Sequence, residues 1–458
     1  MNPTLRSLLA VAAVALLAGI AGCSGRDPAE LEVARARIDP VVFADGYGDD
    51  VYFQGFSGTY YEAASVDSFY AYDSSKSLKV VVPGQGWVLG AYAGGVLTAA
   101  EARDFADFNA LTFWARASTD CVLNEVGFGN DNTGTSRFGV SRFSVPLTAE
   151  WKYVVVPIPA PAKLIAERGL FLFSERWEEA NPEGHELWFD DIRFARVPGI
   201  TNPRPSVSGS RQCFVGATVG IKGTRTVFRV GDTNFAVDHQ PGYFDFVSSN
   251  PAVAVVSDGR IRVVGEGTAT LTATMNDTLR VAGAIGLTGY PPPAASAPRP
   301  TVPAADVIAM FSDAYATVPV DTWNTGWNYA TTEDELYTVA GDVTRMYFNL
   351  NFVGIEFLTR TIDASAMTHF HLDVYAPAGS EFKVKVVTFS GDNGTVVGEA
   401  ELTFNADSTP PFRAGEWSSL EIPLASFPLA ASWAHVGQLV LSSSNAPLVL
   451  VDNVYWHK

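Results

Sequence analysis

Two octapeptides decide how this chain is read: Leu187–Phe194, LWFDDIRF, and Val449–Trp456, VLVDNVYW. Each is an apolar run broken by an Asp-Asp or Asp-Asn pair, and the two match each other position for position. Working outward, each is preceded by a second matching mark. Glu150-Trp151 opens an apolar strand ending at Pro157, and Glu416-Trp417 opens one ending at Pro423. Further back, Phe43-Ala44-Asp45-Gly46-Tyr47 matches Phe311-Ser312-Asp313-Ala314-Tyr315. Asp45 to Trp151 spans 106 positions and Asp313 to Trp417 spans 104; Asp45 to Asp190 spans 145 and Asp313 to Asp452 spans 139. Marks in the same order at near-equal spacing read as a duplicated domain.

Between the marks, runs such as Ser77–Val82 (SLKVVV), Leu111–Ala115 (LTFWA), Tyr153–Ile158 (YVVVPI), Phe370–Tyr375 (FHLDVY) and Phe382–Val387 (FKVKVV) are separated by Gly- and Asn-rich turns. Helical periodicity is scarce, with Leu97–Phe108 the best candidate. The expected fold is all-β, two jelly-roll sandwiches of about 150 residues each around a third, smaller sandwich. Two Pro-containing connectors mark the breaks, 197–206 (VPGITNPRPS) and 290–303 (YPPPAASAPRPTVP); the second, with six prolines, reads as a stiff extended spacer. The expected organisation is 1–22 signal peptide, 23–40 tether, 41–197 first sandwich, 206–290 middle domain, 291–303 linker and 304–458 second large sandwich.

Of the 458 residues, 47% are hydrophobic and 17% charged, and the net charge of −18 becomes −19 once the segment carrying Arg6 is removed. Such a surface repels nucleic acid and disfavours polyanionic polysaccharides. The N-terminus has Arg6, an apolar run from Leu8 to Ile20 too short to span a bilayer, and then Ile20-Ala21-Gly22-Cys23. That box resembles the lipobox of bacterial lipoproteins, which implies diacylglycerol on the Cys23 thiol, cleavage before it, and attachment to an envelope membrane. Ser24 in the next position resembles export to the outer membrane. Cys121 and Cys213 fall in different blocks and are expected to stay unpaired.

The two large blocks resemble carbohydrate-binding modules of the galactose-binding-like jelly-roll group, through the FxDxY opening, the Glu-Trp strand and the closing D-[DN]-[IV] strand. The third block is also similar to modules beside family-16-type glycosidases and in polysaccharide-utilisation lipoproteins, through Val320–Asn324 (VDTWN) and Ile362–Ser365 (IDAS). In the middle, Val247–Ala254 (VSSNPAVA) and Val263–Ala273 (VVGEGTATLTA) resemble the bacterial Ig-like group 2 fold, which implies a spacer. The resemblance further implies a structural Ca²⁺ in each jelly roll, where Asp45 with Asp190 and Asp313 with Asp452 stand at the ends of first and last strands; the same aspartates would otherwise cap turns.

Trp323, Trp327 and Tyr329 crowd the loop DTWNTGWNY, and Tyr60, Tyr61 and Trp87 stand in comparable Gly-rich surroundings. Flat rings beside Asn and Asp suit the C–H face and the hydroxyls of a sugar; plugs at the ends of a sandwich are the alternative. His369 and His371 share one face of a strand, but nearby sequence offers no third ligand, so a satisfied polar pair is expected rather than a transition-metal site. No ExDxxE strand, G-x-S-x-G elbow, H-E-x-x-H helix or phosphate loop occurs. The expected function is therefore non-catalytic capture of a polysaccharide at an envelope membrane, alongside glycan-degrading enzymes or an outer-membrane transporter. An adhesin with protein-binding sandwiches is the principal alternative, and an enzyme with an unfamiliar site the third.

Overall fold

The computed structural model describes residues 36–458, so Cys23, the signal segment and most of the tether lie outside the described residues. Within them the regular structure is strands and short 3₁₀ turns. The fold is all-β, and six sheets carry it.

In the first sandwich, one sheet runs in the order Ala64–Asp67, Ser77–Pro83, Gly184–Ala195, Ala110–Ala117 and Lys152–Pro157, with Val41–Phe43 also paired to Gly184–Ala195. In the third block the order is Glu333–Val339, Asp342–Phe348, Leu448–His457, His369–Tyr375 and Trp417–Pro423, with Val307–Phe311 paired to Leu448–His457. The two sheets have the same connectivity, strand for strand. The acidic pairs also correspond in detail. Asp191 and Asn453 both adopt left-handed backbone, φ 47° and 48°. Each donates its N–H to Oδ1 of the preceding aspartate at 2.7 Å. The last strand therefore makes the same bulge in both blocks, a conformation that Asp and Asn tolerate better than other residues.

The second sheets differ. That of the third block has four strands, Phe352–Glu356, Val436–Ser442, Phe382–Phe389 and Val396–Phe404. That of the first block has Val51–Gly55, Ala93–Arg103, Glu167–Glu175, Cys121–Phe128 and Val140–Leu147, and then continues into Thr233–His239, Thr224–Val230 and Ile200–Val207. Asp238 pairs with Ser141 and His239 with Val140, so a hairpin of the middle block extends the sheet of the first. The expected connector 197–206 is thus largely strand Ile200–Val207. Its prolines are accommodated because it is the outermost strand, where a missing N–H costs no ladder bond. The helix candidate Leu97–Phe108 is also corrected: Ala93–Arg103 is a strand between Val51–Gly55 and Glu167–Glu175, and burial of Val96, Leu97, Thr98 and Ala99 overrides the helical preference of Ala-Ala-Glu-Ala-Arg.

The rest of the middle block has a five-stranded sheet, in the order Gly209–Phe214, Ile285–Tyr290, Gly267–Met275 and Phe244–Ser248 with Leu279–Arg280 also paired to Gly267–Met275, and a three-stranded sheet of Thr218–Gly220, Arg260–Val263 and Ala254–Ser257. It packs on the third block: Phe214 meets Tyr337 and Tyr375 with ring centroids 5.7 and 5.9 Å away. Glu333, mostly buried, receives Arg211 and Lys222, each at 3.0 Å. The Pro-rich segment does not hold the third block away. It is laid against that block's outer sheet face, where Trp417 Nε1 donates to Ala295 O (2.9 Å), Asn453 Nδ2 to Pro298 O (3.2 Å) and Tyr315 Oη to Val302 O (2.8 Å). Cys121 and Cys213 are both buried free thiols, and burial pushes each up to about 12.

Candidate functional site

The equivalent aspartates of the two large blocks differ in their hydrogen-bond partners. In the first block, Asp190 Oδ2 accepts from Tyr72 N (2.7 Å) and Ser74 Oγ (2.9 Å), and Asp45 Oδ1 accepts from Ser75 N (2.8 Å), Ser75 Oγ (2.9 Å) and Lys76 N (2.8 Å). Both carboxylates clasp the loop Tyr72–Lys76. Those N–H donors occupy the directions from which an ion would approach, so this pair fits the turn-capping alternative.

In the third block, Asp452 is fully buried, and Asp342 and Asp313 lie near enough for their charges to reach it. Asp342 lies within hydrogen-bonding reach of Asp313, and the charges of Asp342, Asp373 and Asp313 all act on Asp452. Burial, reinforced by those charges, pushes the Asp452 carboxyl up to about 7. Asp452 Oδ2 and Asp342 Oδ1 are shielded from water and have no hydrogen-bond partner. Unpartnered buried carboxylate oxygens are costly unless a cation takes them up. The hairpin turn Ala340-Gly341, with both residues at positive φ, delivers Asp342; sequence spacing gave no sign of it. Asp373 is committed elsewhere, accepting from Asn453 Nδ2 (2.9 Å) and Ser419 Oγ (2.5 Å). Carboxylate oxygens are the donors a hard cation such as Ca²⁺ takes, although these three aspartates as they stand do not bring one oxygen each within 4.8 Å of one another.

The aromatic residues separate. Trp323 is half-buried against the core of the third block, edge-on to Phe311 (5.6 Å) and under the Arg345 guanidinium (4.3 Å), with its carbonyl accepting from Tyr347 Oη. It is a plug at the sheet edge. Trp327 lies on the other sheet, over Gly354: a Cβ built at Gly354 would come within 2.5 Å of Trp327 Cη2. Phe352 is its neighbour, 6.5 Å between centroids. Tyr329 is 92% exposed, with its carbonyl held by Asn351 Nδ2. In the first block Tyr60 leans on the core, Trp87 lies 6.0 Å from it and Tyr61 is largely exposed. These three do share one rim, beside the exposed Val88 and Leu89.

The outer face of the four-stranded sheet is laid out by register in three cross-strand rows. Phe352, Ser442, Lys383 and Thr403 form one; Gly354, Val440, Lys385 and Glu401 the next; Glu356, Gln438, Val387 and Glu399 the third. Gln438 Nε2 donates to Glu356 Oε1 (3.0 Å), and Lys385 pairs with Glu399 (3.3 Å). The face thus presents polar side chains at strand spacing, with the Trp327 ring lying at one edge where Gly354 leaves room for it.

His369 and His371 do share a face, and strand pairing brings them what the nearby sequence lacked. Glu421 stands opposite His371 on one neighbouring strand, and His457 opposite His369 on the other. His371 Nδ1 donates to Glu421 Oε2 (2.7 Å), and its Nε2 lies 3.5 Å from Asp373 Oδ2.

No family model matches this chain, and no curated protein does. Solved structures resemble parts of it. A family 11 carbohydrate-binding module from Clostridium thermocellum, in complex with a β-1,3-1,4-mixed-linked tetrasaccharide, is 12% identical over 33% of this chain and 95% of that one, with a TM-score of 0.26. A family 30 carbohydrate-binding module of a cellulosomal cellulase from the same organism is 17% identical over 35% of this chain and 95% of that one, TM-score 0.22. A Clostridium perfringens structure of an M60 catalytic domain with two CBM51 domains is 12% identical over 89% of this chain and 38% of that one, TM-score 0.17.

Proposed function

We propose that the protein is a non-catalytic, glycan-capturing lipoprotein of the cell envelope whose binding face is the outer face of the four-stranded sheet in the third block. The observation that carries this reading is the Trp327 ring lying over Gly354 at the edge of a grid of hydrogen-bonding side chains. A flat ring offers the apolar side of a sugar a platform, and Lys383, Lys385, Glu399 and Glu401 offer its hydroxyls donors and acceptors. Both charges are interspersed there, which suits a neutral polysaccharide. Trp323 supports the loop from beneath rather than touching ligand. Cys23 is the attachment point to the membrane, and glycan-degrading enzymes or a transporter are the fitting neighbours. A cation held by Asp313, Asp342 and Asp452 would neutralise the crowded carboxylates and pin the hairpin at Gly341 to the bulge at Asn453.

The test is electrophoresis of the chain from Ser24 onward through gels containing neutral polysaccharides, beside Trp327→Ala and Trp323→Ala variants. One retarding glycan class, lost with Trp327→Ala and kept with a folded Trp323→Ala, is the expected result. No retardation on any glycan contradicts the reading.

One observation favours a second reading. In the first block the consecutive residues Trp87, Val88 (95% exposed) and Leu89 are exposed and apolar, which fits a protein partner as an adhesin would require. Trp87→Ala that leaves glycan retardation intact while abolishing attachment to a protein-coated surface would assign that role.

A further inference from the structure

We infer that the outer edge of the third block holds a divalent transition-metal site, of the Zn²⁺ class, made by His369, Glu421 and His457. One ligand atom from each of the three lies within 4.8 Å of the other two. They come from three adjacent strands, His369–Tyr375 in the centre, Leu448–His457 on one side and Trp417–Pro423 on the other. Two imidazoles and a carboxylate form a borderline donor set that suits zinc and leaves its fourth position open. The site faces outward, since Glu421 is exposed and His369 half-buried.

Hydrogen bonding at the far side of each ring supplies a second, independent argument. His457 Nδ1 faces the carbonyl of Lys458 at 2.8 Å, an acceptor only, which suits the tautomer with its proton on Nδ1. Its Nε2 then points at Glu421 Oε1, another acceptor. In that tautomer the Nε2 lone pair and the carboxylate face each other, an arrangement that a metal ion between them satisfies. His369 Nδ1 is engaged by Thr368 Oγ1 at 2.8 Å, which leaves Nε2 as its free nitrogen. The two rings are stacked, 5.1 Å apart and 9° from parallel. A backbone carbonyl or a hydroxyl on the remote nitrogen is how metal-binding histidines are oriented. The second carboxylate oxygen of Glu421 is meanwhile fixed by His371 Nδ1 (2.7 Å), so His371 positions the ligand rather than joining the set. The ion would staple the last strand of the chain to the two strands beside it, well apart from the Trp327 face on the opposite sheet.

The test is equilibrium dialysis of the chelator-treated chain from Ser24 onward against Zn²⁺ alone, with Ca²⁺ and Mg²⁺ in parallel and the unfolding midpoint followed. The expected result is one zinc per chain with a raised midpoint. His369→Gln and His457→Gln should each weaken uptake by at least about tenfold. His435→Gln, at a histidine elsewhere on the surface, should leave it unchanged. His369 is half-exposed, so that variant is expected to fold and circular dichroism verifies it. Equal zinc uptake by the folded His369→Gln variant and the parent overturns the proposal, as does the absence of saturable uptake by the folded parent at up to ~1 mM zinc.

Discussion

Tyr337 of the third block donates its hydroxyl to the carbonyl of Val215 in the middle block at 2.6 Å, while its ring packs against Phe214 at 5.7 Å. The middle and third blocks thus have apolar packing in common, in which Tyr337, Met346, Phe348, Tyr375, Leu448 and Leu450 join the core of the middle sandwich. Tyr337→Ala should cost about 3 kcal/mol, as truncation of a buried aromatic does. Guanidinium unfolding of the parent should show these blocks melting together, and that of the variant two separate transitions. A variant that unfolds as the parent does would show that the contact contributes little.

His239 gives a pH dependence of known sign. It sits where the middle hairpin joins the first sheet, with Nδ1 donating to Gln240 O (2.9 Å) and Nε2 accepting from Thr226 Oγ1 (3.0 Å), so it is satisfied as a neutral ring. Burial lowers it to about 4 from 6.5, against the opposing hydrogen bond to Gln240. The folded-state value lies below the unfolded one, so its stabilising contribution is complete above pH 6.5 and is lost as the pH falls towards 4. The loss amounts to about 3 kcal/mol. Stability of the parent minus that of His239→Gln, measured across this range, should fall with acidification; a flat difference would refute the assignment.

The carboxylates of the third block predict an inversion on adding calcium. Without the ion, Asp342→Asn removes a charge from a crowded buried group and should raise the melting temperature. With Ca²⁺ at about a hundredfold over its dissociation constant, the parent should gain roughly 3 kcal/mol and the variant much less. Calorimetry in chelator and in calcium compares the two. A calcium response retained by Asp342→Asn would place the ion elsewhere.

Gly354 is the place where Trp327 meets the sheet. Gly354→Ala puts a methyl 2.5 Å from Trp327 Cη2, so the indole must tilt away from the face. Retardation by the bound polysaccharide should weaken by about tenfold, since stacking of one ring is worth on the order of 1.4 kcal/mol, while the fold stays intact by circular dichroism. Unchanged retardation would mean that the indole does not contact ligand.

What the sequence made legible follows from short-range pattern. The strands alternate, and LWFDDIRF and VLVDNVYW do occupy equivalent central positions in equivalent sheets with the same bulge. What it concealed depends on pairing at a distance. Asp342 reaches Asp452 because a hairpin turn places it there, and Glu421 and His457 reach His371 and His369 only through cross-strand register. Ile200–Val207 looks like a connector because of its prolines, and only its edge position makes it a strand. Trp323 and Trp327 are four residues apart in one loop but serve opposite sheets, which no spacing argument separates.

The central claim is that glycan lies on the face beside Trp327, and hydrogen–deuterium exchange with and without the retained polysaccharide tests it most directly. Ligand should slow exchange in residues 325–330 and Phe352–Glu356, and Trp327→Ala should abolish the effect. Protection confined to the rim around residues 85–92, or none in the third block, would contradict it.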